Sequence, residues 1–338
     1  MAVLPAHRVA TPVLERLAAG GPGLLEQGGA AAPVGAGLVE RGGGAAPTGA
    51  AVRGRVLGAG ATAAWVDLGG FVVAVTTREV PLLPNAVALA AGAGALPAAG
   101  VRAGATARLA PGRVDLGTLQ ITWDPVAPPS WDPAVPVLVD TAPEAVARRG
   151  AALLRALGVR LDPEAANRGP RLPWAADPAA LVRELARIGL ATAVDPDGAA
   201  GLTALLGAVR DRDPGPVAGA VRGLLGRGPG LTPEGDDLVA AVTGTLAVAA
   251  PAAGLGEATL AAFLDALAPV PGRTTALSAT LLALAAQRRL VEPAGRLLHL
   301  GPAGEAAWPA ALRRLERLGH GSGRAYAAGI AATASLLA

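Results

Sequence analysis

Between residues 123 and 136 the chain reads WDPVAPPSWDPAVP, with five prolines in fourteen residues. Proline donates no ladder hydrogen bond and clashes with the preceding helical turn, so neither a central strand nor a regular helix can run through this stretch. It reads as a linker, and the patterns on its two sides differ. From Ala51 to about Thr122, the β-prone runs VRGRVLG, TAAWVDL, FVVAVTT, NAVALA and TLQITW are separated by glycine or proline. Such spacing predicts a small antiparallel sheet or barrel-like domain. Residues 20–49 are rich in Gly, Ala and Pro with little periodicity, which reads as a flexible insertion or long loop.

Beyond the linker the pattern turns helical. Thr141 and Glu144 in TAPE form a capping box for a helix running to Gly158. In DPAALVRELARIG, Asp177 suits the cap, Pro178 the first turn and Gly189 the stop, and Leu181, Val182, Leu185 and Ile188 share one face. Amphipathic or Ala-rich segments follow at about 215–226, 236–249, 256–268, 274–289, 305–318 and 323–337, with weak facial contrast because alanine is everywhere. The expected fold class is α+β. A β-rich N-terminal domain covers residues 1–135, with the Gly/Ala/Pro-rich insertion at about 20–50 and the Pro-rich linker at its end, and a helical domain covers 136–338.

Composition removes several chemistries. The 338 residues contain no cysteine and no lysine, so a thiol nucleophile, a zinc knuckle, a Schiff base to pyridoxal phosphate and the usual phosphate-binding loop are all excluded. His7, His299 and His320 are too scattered for a metal-ligand signature. The 29 basic residues, all arginine, nearly balance 26 acids, and aromatics make up 2%, which argues against nucleic-acid binding. Two uncharged runs, 80–101 and 238–255, are broken by prolines or threonines and read as buried elements rather than membrane spans. The N-terminus lacks the basic start and apolar core of a signal peptide, so a cytoplasmic protein is expected.

The chemistry-bearing stretch is GRGPGLTPEGDDLVAAVTG, residues 226–244. Thr232 suits a helix N-cap, Pro233 the first helical position, and Glu234, Asp236 and Asp237 the first turn, where carboxylates meet the positive end of the helix dipole. Capping alone does not explain Gly235, which weakens the first turn and suits a place where another chain or a ligand approaches the backbone. Two further turns share the design. PGRTTALSATLL puts Arg273, Thr274 and Thr275 ahead of a helix, and GHGSGRAYAAG puts Ser322 between glycines. Free N–H groups, a hydroxyl and a nearby arginine make each a candidate anion site. Converging, the three turns would form a polar pocket for a small anion and an amide.

GLTPEGDDLVAAVTG, followed by RTTALSATLLALAA and LGHGSGRAYAAG, resembles the AllH-type subunit family of oxamate carbamoyltransferase, and LLPNAVAL looks like that family's Pro-Asn element, with Asn85. The resemblance implies a subunit of a complex that interconverts oxalurate plus phosphate with oxamate plus carbamoyl phosphate, in purine and allantoin nitrogen catabolism. It implies other subunits and a small anionic substrate as partners, and names no cofactor. Asp236 and Asp237 are the candidate catalytic residues; Thr232, Gly235, Arg273, Thr274, Thr275, Ser322 and Asn85 are the candidate substrate-binding residues. A metal at the acids lacks a third ligand of recognisable spacing. The family pattern has an acid soon after the last Ser-Gly, where this chain has Arg324 and Ala325. The resemblance ties the family to the reaction at the level of the complex, so the competing reading is a non-catalytic interaction or effector-binding subunit. If the acids serve a site, Asp236→Asn together with Asp237→Asn abolishes ligand binding or complex activity while the melting temperature moves by only a few degrees; severe unfolding would return the pair to a capping role.

Overall fold

The computed structural model describes residues 2–19, 51–139, 141–160, 177–270, 272–298, 305–319 and 321–337. The insertion expected at about 20–50 lies outside them, as do His299 and His320. The chain is α+β and divides into two compact units, Met1–Asp132 and Pro133–Ala338. The expected linker is not featureless, since Ser130–Trp131 in its middle forms a two-residue strand.

The first unit is a closed sheet. Its strands are β1 (Ala2–Ala10), β2 (Val52–Ala59), β3 (Ala63–Asp67), β4 (Val72–Thr76), β5 (Ala86–Leu89), β6 (Thr106–Ala110), β7 (Arg113–Leu116), β8 (Leu119–Thr122) and β9 (Ser130–Trp131). The order β5-β4-β3-β2-β6-β7-β8-β1 closes through a β1–β5 pairing, and β9 adjoins β1. Closure depends on β1 changing partners. Ala2 to Pro5 pair with β8 in parallel, and Ala6 to Val9 pair with β5 antiparallel with an irregularity between Ala6 and Arg8. Alternate residues such as Ala64 and Val66, Ala107 and Leu109, Leu119 and Ile121 fill the interior, while Arg53, Arg55 and Arg108 face outward. This is the period-two pattern of a small barrel packed with side chains. Helix α1 (Thr11–Ala19) follows β1, and its buried Arg16 donates to the Leu68 carbonyl. A short α2 (Ala95–Ala98) precedes β6.

The second unit contains α3 (Pro143–Ala156), α4 (Pro178–Arg187), α5 (Ala191–Val194), α6 (Pro196–Asp211), α7 (Val217–Leu224), α8 (Glu234–Ala249), α9 (Glu257–Ala266), α10 (Ala276–Ala286), α11 (Glu292–Leu298), α12 (Trp308–Leu315) and α13 (Ser322–Ser335). Helix α3 is capped without the Thr141 side chain, because its N-cap is Ala142 and Pro143 opens it. Asp177 is the N-cap of α4 as expected, and Gly189 follows that helix in a left-handed conformation. Among the described residues no helix is long and apolar enough to cross a membrane.

Helix α8 is buried on every side from Gly235 to Ala249, the mark of a central helix. Missing side chains set how closely its neighbours approach. A Cβ on Gly329 of α13 would lie 2.6 Å from the Ala241 Cβ and 3.2 Å from the Leu238 carbonyl, and one on Gly150 of α3 would lie 2.3 Å from the Ser335 nitrogen. Direction follows from the contacts. Ser322, at the start of α13, meets Thr232 just before α8, and Gly329 meets Leu238 and Ala241 a turn or more further along both helices. Helix α10 is aligned likewise, since Thr274 reaches Asp236 while Leu290, beyond its far end, lies against Gly244. The three helices therefore run side by side in one direction, with their N-termini together.

Gly329→Val should lower stability by about 1–3 kcal/mol through overpacking, whereas Gly207→Ala in α6, whose added Cβ meets nothing within 4 Å, should raise it by about 0.5–1 kcal/mol. Thermal unfolding of both variants beside the parent checks this, and an unshifted Gly329→Val would contradict the close α8–α13 contact.

Candidate functional site

Three helix N-termini at one end of the unit gather three positive dipole ends, each worth about half a charge. Three acids from the first turn of α8 stand among them. Their surroundings differ enough to give them different roles.

The loop into α8 is folded back on itself. Gly226 and Gly228 take φ of 76° and 113°, which glycine adopts without strain. Room matters as well, because a Cβ on Gly226 would lie 2.6 Å from the Arg273 carbonyl. Arg227 anchors the loop to the start of α6 through Asp195 at 2.5 Å and Asp197 at 3.0 Å. Gly235 is required by the chain itself: its N–H donates to the Arg227 carbonyl at 3.0 Å, and a Cβ there would sit 2.1 Å from the Leu224 carbonyl at the end of α7. The close approach expected at this glycine is that of another segment of the same unit.

Helix α8 begins at Glu234, one residue past the expected start at Pro233, and Thr232 does not cap it. Pro233 is the N-cap, no side chain bonds there, and the Thr232 hydroxyl lies 3.0 Å from the Ser322 hydroxyl. Thr275 caps α10 by accepting from the Ser278 N–H at 3.0 Å, and its hydroxyl donates to the Leu231 carbonyl at 2.5 Å. Asp236 is buried and occupied on both oxygens, one accepting from the Gly226 N–H at 2.7 Å and the other from the Thr274 hydroxyl. Glu234 accepts from the Thr192 N–H and lies beside Gly321. Asp236 is thus a clasp between two turns and the α8 start, and Thr274 is its partner.

Asp237 differs. It is 3% exposed, and its Oδ2 has no hydrogen-bond partner among the described residues. Burial holds its carboxyl well above the usual carboxylate range; a hydrogen bond from Ser322 opposes this, while the charges of Asp236 and Glu234 add to it. Burial outweighs the helix end, which contributes only about 0.3–1 kcal/mol toward the ionised form. The Asp237 side chain therefore holds its proton to higher pH than an ordinary carboxyl. Thr232 and Ser322, both half-buried, connect it toward the surface.

Arg273 is exposed, and among the described residues its guanidinium makes no hydrogen bond or ion pair. Arg324 turns away from Ser322 and donates to the Ile188 carbonyl at 2.9 Å. Seven of the nine expected residues, Thr232, Gly235, Asp236, Asp237, Thr274, Thr275 and Ser322, thus lie together around the start of α8, and the Arg273 backbone borders them. Asn85 belongs to the barrel unit, where it is buried and donates to the Val72 carbonyl at 2.7 Å. Sequence reasoning passed over two members. Glu234 stands in the quoted motif, and Tyr326, the single tyrosine of the chain, is buried and raised in pKa first by burial and then by the Asp237 and Asp236 charges. Its rarity was the available signal. Among the described residues no group of three or more His, Asp or Glu side chains is placed to hold a metal ion.

Residues 224–334 match the family model of the oxamate carbamoyltransferase subunit AllH. That span takes in the starts of α8, α10 and α13 and leaves out the barrel unit. No curated protein and no solved structure matches the chain.

The two aspartates should separate on substitution. Asp236→Asn places an amide where two donors converge and should cost about 1–3 kcal/mol. For Asp237 the folded pKa is raised, so the wild-type contribution is whole below the unfolded value of about 3.9 and is lost as pH rises through the folded one. The melting temperature of Asp237→Asn relative to wild type should therefore climb from about pH 4 upward and level off once the folded value is passed. Melting curves across pH check this, and a flat difference would deny the raised pKa.

Proposed function

We propose that this chain is a subunit of an oxamate carbamoyltransferase-like complex, and that the gathered N-termini of α8, α10 and α13 hold its small anionic substrate. The matched family span and the three helix starts coincide. The carrying observation is Asp237, a buried carboxyl with an unpartnered oxygen where three positive helix ends meet.

The reaction interconverts oxalurate plus phosphate with oxamate plus carbamoyl phosphate. In the phosphorolytic direction a phosphate oxygen attacks the terminal ureido carbonyl, the C–O bond forms and the C–N bond to the oxamate nitrogen breaks. That nitrogen departs with the bonding pair and needs a proton. Neutral Asp237 supplies it, and in reverse the Asp237 carboxylate removes a proton from the oxamate amide as its nitrogen attacks the carbamoyl carbon. Ser322 and Thr232 orient the carboxyl and relay its proton toward solvent. Helix N–H groups and Arg273 offset charge on phosphate and on the carbonyl oxygen. Asp236 acts through position, fixing the loop against Thr274.

A second reading has an observation of its own. The last turn offers a hydroxyl and no acid, with Arg324 spent on Ile188, which favours a subunit that binds a small anionic effector and leaves transfer to a partner. Calorimetric titration with carbamoyl phosphate, phosphate and oxamate tests the shared binding step. Arg273→Ala should weaken carbamoyl phosphate binding about tenfold, or roughly 1.4 kcal/mol. Asp237→Asn should keep that binding and reduce transfer about 10²–10⁴-fold in the reconstituted complex. Because the phosphorolytic direction uses the protonated acid, its rate should hold above the ordinary carboxylate range and fall as pH rises through the raised pKa. Binding without a loss of transfer in Asp237→Asn would select the effector reading; no binding of any of the three would sink both.

A further inference from the structure

The outer face of the barrel unit carries a charge arrangement that the described residues do not neutralise. In the antiparallel pairing of β2 with β6, Arg53 stands directly opposite Arg108 and Arg55 opposite Thr106. All three arginines are exposed. Directly opposed residues have Cβ atoms about 4.5–5.5 Å apart, and like charges there oppose sheet formation.

Neighbouring acids are engaged elsewhere. Asp67 faces Arg55 across the β2–β3 pairing, but its Oδ1 accepts from the Gly69 and Gly70 N–H groups at 3.0 and 3.1 Å. Asp115 faces Arg108 across the β6–β7 pairing, but its Oδ1 takes Arg113 at 2.6 Å and Gln120 at 3.2 Å. Among the described residues, Arg53, Arg55 and Arg108 form no hydrogen bond or ion pair through their side chains. Three free guanidinium groups on two adjacent strands make a fork-shaped donor row suited to carboxylates.

We propose that the outer face of β2 and β6 is a docking surface for an acidic segment of a partner protein. Carboxylates spaced along an extended or helical segment would pair bidentately with Arg53 and Arg108 and remove their mutual repulsion. A nucleic acid fits less well, because single-strand binding uses stacked aromatics and this face offers one half-buried ring, Trp65. The proposal rests on the barrel geometry and is independent of the carbamoyl-transfer reading.

The test uses the full chain at low salt with a labelled oligoglutamate peptide and a single-stranded oligonucleotide as separate probes. The peptide should bind saturably, weaken as salt rises, and lose at least about tenfold in affinity in Arg53→Gln/Arg108→Gln. The charge-preserving Arg53→Lys/Arg108→Lys, which keeps the charge and loses the fork, should bind more weakly than wild type and more tightly than the double Gln variant. Arg155→Gln/Arg222→Gln, which removes equal charge from exposed helix positions, should stay within about twofold of wild type. The melting temperature of the barrel double Gln variant should be unchanged or raised, since a like-charge pair is gone. Absence of peptide binding, an equal loss in the helix variant, or tighter binding of the oligonucleotide would each overturn the proposal.

Discussion

The close parallel packing of α8 with α13 and α10 is the constraint on which the rest of the helical unit depends. Gly329 lets α13 approach the Ala241 and Leu238 positions of α8, and Gly244 receives Leu290 beyond α10. Helices packed in the same direction bring like ends of their dipoles together, which is unfavourable unless negative charge is placed there. The first turn of α8 supplies it. The acids of TPEGDD are thus an electrostatic consequence of the topology before they are anything chemical.

That topology then treats each acid differently. Glu234 and Asp236 are satisfied by N–H and hydroxyl donors, so they hold loops. At Asp237, burial first and then two neighbouring carboxylates oppose ionisation and hold the carboxyl well above the usual range. A buried carboxyl with a raised pKa and one unpartnered oxygen is an expensive feature to keep for stability alone, which is the physical ground for proposing the proton-transfer role. Adjacent residues of one motif differ in ionisation and bonding because their surroundings differ.

Much of the architecture was legible along the chain. The strand runs found from Ala51 onward correspond to β2, β3, β4, β5 and β8, and α4 begins at Asp177 and Pro178 as its capping pattern indicates. Strand β1 was not legible, because Pro5 interrupts it and its two halves serve different neighbours. Helix α6 hid behind PDG, a turn signal, and α11 behind a proline and a glycine within seven residues. Thr232 and Thr141 read as caps, yet Thr232 bonds Ser322 ninety residues away and α3 starts from Ala142. Local capping rules describe what a side chain can reach along the chain, and a tertiary partner of equal strength replaces that bond at no cost.

By itself the sequence determined the α+β division, the helix-opening character of three glycine-rich turns, and the presence of acids, hydroxyls and arginine within them. Those follow from periodicity, turn chemistry and residue inventory, all of which act over a few residues. Only the tertiary structure decided that the turns meet, and that Asp236 clasps two loops while burial raises the pKa of Asp237. Convergence depends on helix direction and close approach, and a pKa depends on burial. Both are set by contacts between residues far apart in the chain, and local pattern carries no record of them.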